Sequence, residues 1–106
     1  MTIRLSRRAR ADLEDVRTFT RARWGADQWL AYYKKIVHAF ELIAAQPEQG
    51  RDRSLFAPGM RSINCGRHVI FYKRLEAAKG EPVVLRIVHQ RRHLPGLLYH
   101  DDLDIG

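Results

Sequence analysis

The chain has 106 residues, and its 19 Lys and Arg against 12 Asp and Glu give a formal net charge of +7. With 45% hydrophobic and 29% charged residues it is rich enough in apolar side chains to exclude disorder. At this length it is expected to be one domain with a thin core, which excludes a large enzyme cleft. A single cysteine, Cys65, excludes an internal disulfide and a zinc site built on several cysteines of this chain. No apolar run approaches the length of a membrane span, and the charged start, Met1 to Arg8, has no apolar stretch behind it. The reading is therefore a chain of the reducing cytoplasm with no membrane partner. No linker or repeat divides it, so residues 1–106 form one unit, with a body over 1–93 and a C-terminal tail over 94–106.

Thr2 to Leu5 alternates weakly and reads as a short first strand. Ser6 has the chemistry of an N-cap for the helix behind it. Ala9, Leu13, Val16 and Phe19 or Thr20 recur every three or four residues, which predicts an amphipathic helix of about four turns. Gly25 stops it. A second helix opens at Ala26 or Asp27, where Trp29, Tyr33, Ile36, Phe40 and Ile43 form an apolar stripe, and it ends before Pro47. The connection at Gly25 is so short that the two helices must fold back on each other. Pro47 to Gly59 reads as loop.

Beyond the loop the period changes to two. Met60 to Cys65, His68 to Lys73 and Val83 to Gln90 read as strands, the first two joined by a tight turn at Gly66 and Arg67. In the last strand Val83, Leu85, Ile87 and His89 share one face, expected to be the core. Val84, Arg86, Val88 and Gln90 share the other, expected to face solvent or a partner. The fold class is α+β in the order βααβββ, a helical hairpin packed on one side of an antiparallel sheet.

Arginine supplies 15 of the 19 cations. That bias favours planar, bidentate contacts to phosphates or carboxylates, and so a nucleic acid or an acidic protein as partner. Several catalytic classes are disfavoured. His89 and His93 straddle a strand end without a third ligand, so no metal and no cofactor is expected. Cys65 reads as a small packing residue, and the strands carry no carboxylate. What remains is a basic and aromatic set on and after the sheet: His68, Tyr72, Arg86, His89, Arg91, Arg92, His93 and Tyr99. Metal-free phosphodiester cleavage needs a base, a cation and an acid, and these residue types can supply them. Trp24, Trp29, Tyr32 and Tyr33 crowd the interhelical turn. Tyr32 and Tyr33 are adjacent, so at least one aromatic should be exposed to a partner. Asp101, Asp102 and Asp104 close the chain, with charge complementary to Arg91 and Arg92.

Five segments together resemble the ParE toxins of the ParE/RelE toxin–antitoxin superfamily, over about residues 4–92. They are Leu5-Ser6-Arg7-Arg8-Ala9-Arg10-Ala11-Asp12-Leu13, Arg23-Trp24-Gly25, Pro47 to Gly50, Gly66-Arg67-His68-Val69-Ile70-Phe71-Tyr72, and Leu85-Arg86-Ile87-Val88-His89-Gln90-Arg91-Arg92. The resemblance implies a sheet with a helical hairpin, a ParD-like antitoxin and poisoning of DNA gyrase without catalysis. It also implies that the chain oligomerises only within the toxin–antitoxin complex. The RelE branch, which cuts messenger RNA on the ribosome, is the alternative. RelE enzymes place an arginine where His68 stands, an arginine where Arg91 stands and a tyrosine near Leu97. His68, Arg91 and Tyr99 are then the nuclease candidates, and the changes at His68 and Leu97 put gyrase first. Arg86, Arg91, Arg92 and His93 are the expected target-binding residues. Arg10, Arg17 and Tyr32 are the expected antitoxin contacts.

Overall fold

The computed structural model describes residues 3–91. Its first structural decision falls on Ser6. A short strand, β1 (Arg4–Leu5), leads into Ser6, whose hydroxyl accepts from the Ala9 N–H at 3.0 Å and starts helix α1 (Arg7–Trp24). That is the expected N-cap. The same hydroxyl donates to the Leu85 carbonyl at 2.8 Å, and the Ser6 N–H reaches the Val84 carbonyl at 2.8 Å. One buried side chain thus caps the helix and ties it to the sheet. Gly25 ends α1 with φ +92°, and α2 (Ala26–Ala45) returns antiparallel until Gln46 and Pro47 stop it.

The remaining strands are β2 (Arg51–Asp52), β3 (Arg61–Cys65), β4 (His68–Arg74) and β5 (Pro82–His89), ordered β1-β5-β4-β3-β2 in one sheet. Gly66 and Arg67 form the turn between β3 and β4, as expected. Two features differ from the sequence reading. β1 pairs parallel to β5, with Arg4 opposite Val83, so the sheet is mixed rather than antiparallel. The stretch read as loop holds a 3₁₀ turn (Pro47–Gln49) and β2, which pairs with β3. A strand of two exposed residues has no buried face and leaves no alternation to read.

The larger correction concerns β5. Its pairing with β4 runs Phe71 to Arg86 and then Tyr72 to Val84, so Leu85 is an extra residue in a bulge. The bulge breaks the alternation. Val84 and Ile87, three apart, both join Ile36, Ile43, Ile70 and Tyr72 beneath the helices. Val83, Leu85 and Val88 join Met60, Val69 and Phe71 on the opposite face, against Phe56 and Ala57. Both sheet faces are therefore buried, and no face of β5 is left open. In α2, Trp29, Ile36 and Ile43 are buried as the stripe predicts, whereas Tyr33 is 40% exposed. Tyr32 packs against the core in its place.

Candidate functional site

Arg86 was expected on a solvent-facing side of β5. It is instead 3% exposed, with Nε 2.8 Å and Nη2 3.2 Å from the two oxygens of Asp12 on α1. Asp12 also accepts from the Ile87 N–H at 2.9 Å. β1 is too short to run beside this part of β5, and side chains complete the pairing: Ser6 on the Leu85 carbonyl, Asp12 on the Ile87 amide. Arg86 thus holds α1 to the sheet. A bidentate charged pair inside a small core is an anchor for position.

At the other end of the same strands, His68 stands opposite His89, their rings edge to face at 5.5 Å between centroids. Tyr32 reaches across from α2 and places its hydroxyl 2.6 Å from His68 Nδ1. That hydroxyl also donates to the Cys65 carbonyl at 2.9 Å and accepts from the Arg67 N–H at 3.2 Å. With the phenol proton on Cys65, the tautomer that satisfies every partner carries the proton on His68 Nδ1. His89 Nδ1 accepts from the Arg91 N–H at 3.1 Å, which leaves its proton on Nε2. Burial, and after it the neighbouring His89, holds the His68 pKa below its ordinary value of 6.5. Burial pushes the Tyr32 phenol and the Cys65 thiol upward, so both stay protonated at neutral pH. Gly66 makes this clamp possible. Its φ is +57°, and a Cβ there would lie 2.6 Å from the Tyr32 ring.

These groups line an open groove of about 1060 Å³ between the helical hairpin and the ends of β4 and β5. Phe19, Arg23 and Trp24 form its outer wall, and Arg67 and Arg91 face them from the sheet side. Phe19 is 62% and Trp24 57% exposed, with the Arg23 guanidinium 6.0 and 5.6 Å from the two ring centroids.

A second groove of about 670 Å³ lies between α2 and the β2–β3 edge. Its floor is aliphatic, with Ala39, Leu42, Ile43 and Ile63, and its rim carries Lys34, Lys35, His38 and Arg51 without a single carboxylate. The connection beneath it is fixed by the buried Tyr72 hydroxyl, which donates to the Pro47 carbonyl at 2.8 Å and accepts from the Gly50 N–H at 2.9 Å. A Cβ at Gly50 would run into that hydroxyl, so only glycine fits.

A family model described as the ParE toxin of type II toxin–antitoxin systems, parDE, matches residues 3–94. This chain belongs to the ParE toxin family. It is 37% identical to the toxin ParE1 of Caulobacter vibrioides, a match covering 86% of this chain and 95% of the relative. The toxin ParE1 of Mycobacterium tuberculosis is 38% identical, covering 82% and 87%. A solved structure, the chromosomal ParDE toxin–antitoxin system of P. aeruginosa, shares the fold with a TM-score of 0.68 at 22% identity, over 84% of this chain and 95% of that one. The ParE-like α+β fold read from the sequence is the fold observed.

Within this ParE fold the predicted site residues separate. His68 and Arg91 line one groove. Arg86 lies in its wall but is engaged by Asp12, so its guanidinium is not the open contact expected for a target. Tyr32, expected as an exposed antitoxin contact, is half-buried and clamps the β3–β4 turn; the exposed rings include its neighbour Tyr33, with Phe19 and Trp24 on α1. Arg10 and Arg17 are exposed on α1, with Arg17 3.2 Å from Glu14. Arg92, His93, Leu97, Tyr99 and the acidic end of the tail lie outside the described residues. Asp12 was missed by the sequence reading, yet a signal existed. A strand arginine flanked by apolar residues, where the three long strands β3, β4 and β5 carry no carboxylate, must draw its partner from outside them. Among the described residues no group of three or more His, Cys, Asp or Glu is placed to hold a metal, and no helix is long and apolar enough to cross a membrane.

Proposed function

We propose that this protein is the growth-inhibiting half of a ParDE-type module, acting in the cytoplasm by poisoning DNA gyrase and silenced by a ParD-like antitoxin. The observation that carries the reading is the match to the ParE toxin model over residues 3–94, joined by toxins 37% and 38% identical along most of both chains. The groove between α2 and β3 is the antitoxin's seat in this proposal. An amphipathic segment needs aliphatic anchors and a complementary rim, and Leu42 and Ile63 with Lys34, His38 and Arg51 suit an acidic one. Arg91, at the end of β5, opens the surface assigned to the target.

The test is induction in cells, following plasmid supercoiling and the DNA-damage response beside message integrity. Loss of supercoiling with intact message is the expected outcome. Message cut first, and spared by His68→Ala or Arg91→Ala, would replace this reading with a ribosome-dependent nuclease.

A further inference from the structure

The groove beside the ends of β4 and β5 differs in composition from the antitoxin seat proposed above. Its exposed apolar surface is aromatic: Phe19 and Trp24, with Arg23 between them at cation–π distance. Two large rings, each more than half in water and linked through one guanidinium on the same groove, form an exposed apolar patch of the kind that marks an interaction site. Across the groove Arg67 and Arg91 are exposed and make no ion pair among the described residues. His89 lines the same groove and, with Nδ1 occupied by the Arg91 amide, has its Nε2–H to donate. Of the two carboxylates in the lining, Asp12 is neutralised by Arg86, which leaves Asp15 alone on the wall.

We infer that this groove binds a single-stranded nucleic-acid segment, its phosphates on Arg67, Arg91 and the His89 donor and its bases against Phe19 and Trp24. A cationic track interleaved with exposed rings is the chemistry that single strands require, because every base has a face to stack and every linkage a charge to meet. The alternative occupant, an acidic helix, needs aliphatic anchors at helical spacing. Those lie in the other groove, where Leu42 and Ile63 replace rings and no aromatic residue except the buried Tyr72 is present. The proposal does not rest on gyrase being the target and goes beyond the toxin reading.

The experiment uses the purified, antitoxin-free chain and fluorescent oligothymidylate and oligouridylate, followed by anisotropy across a salt series. Arg67→Glu and Arg91→Glu are expected to weaken binding about tenfold or more and to flatten the salt dependence by roughly one phosphate contact each. Lys34→Glu and Arg51→Glu carry the same charge change into the other groove and should leave affinity within about twofold, the behaviour of charges distant from the contact. Trp24→Ala should cost about fivefold or more, the range for a lost stacking platform. Emission that oligonucleotide quenches in the wild type but not in Trp24→Phe places a base on that ring without relying on a disruptive change. Thermal melting of each variant checks the fold. Equal losses from all four charge reversals would mean that net charge alone attracts the oligonucleotide, and would overturn the proposal. So would unquenched Trp24, or a polyglutamate peptide that binds this groove while oligonucleotides do not.

Discussion

The two grooves meet at Lys35 and Gly66, which line both, yet they are built from different materials. The groove beside β5 has walls of rings and guanidinium groups, and its position depends on buried polar clamps: Asp12 on Arg86, and Tyr32 on His68 and Cys65. The groove under α2 has an aliphatic floor and a lysine-rich rim, and one clamp, Tyr72 on Pro47 and Gly50, fixes its base. Under the proposed assignment, these linings are what would keep two anionic partners apart on one small basic domain. Net charge draws any anionic partner to the whole molecule, while the apolar lining selects which one stays in which groove.

Detaching α1 from β5 should have the largest effect. Asp12→Ala removes the bidentate carboxylate from the buried Arg86 and the acceptor from the Ile87 amide, and should destabilise the domain by about 3–5 kcal/mol, measured by urea unfolding. Asp12→Leu with Arg86→Met should cost clearly less than the two single changes added together, because neither charge is then stranded. Tyr72→Phe tests the other side. It strips the Gly50 amide and the Pro47 carbonyl of their partner and should cost about 1–3 kcal/mol. Hydrogen exchange should then rise near residues 46–51 and leave Asp12 and Arg86 undisturbed.

Leu42→Glu acts on the α2 groove at the level of binding. Leu42 is 43% exposed above the aliphatic floor. A carboxylate there should cost the antitoxin about 2 kcal/mol or more of affinity by calorimetry, a hot-spot loss. Arg10→Glu with Arg17→Glu, on the open side of α1, should cost about 1 kcal/mol or less and chiefly slow association.

The smallest effect is a pH slope. His68 is held neutral in the folded chain, so the unfolded chain takes up its proton first as pH falls. Stability should therefore decline as pH drops through 6.5 toward the lowered folded value, and level off below it. His68→Gln should flatten that part of the stability profile. An unchanged slope would assign it to the other histidines.

How much of this was legible depends on the range of the interaction. Ser6, Gly25 and Pro47 announce the two helices because caps and breakers act within a turn of themselves, and Ser6 capping Ala9 is observed. Gly66 and Arg67 announced the hairpin for the same reason. The two faces of β5 were misread because a one-residue bulge at Leu85 is set by pairing with Phe71 and Tyr72, which no local period records. Arg86 and Asp12 are 74 residues apart, and only the parallel placement of β1 beside β5 brings them together. His68 stands out in the sequence only as one of a basic and aromatic set on the sheet; its bond to Tyr32, 36 residues away, is a product of the folded hairpin.

One titration tests the division of labour directly: gyrase supercoiling with the wild-type chain and with Leu42→Glu, as increasing ParD-like antitoxin is added. Both proteins are expected to inhibit supercoiling alike, with antitoxin restoring it only for the wild type. Full restoration with Leu42→Glu, at the same antitoxin concentration as for the wild type, would contradict it.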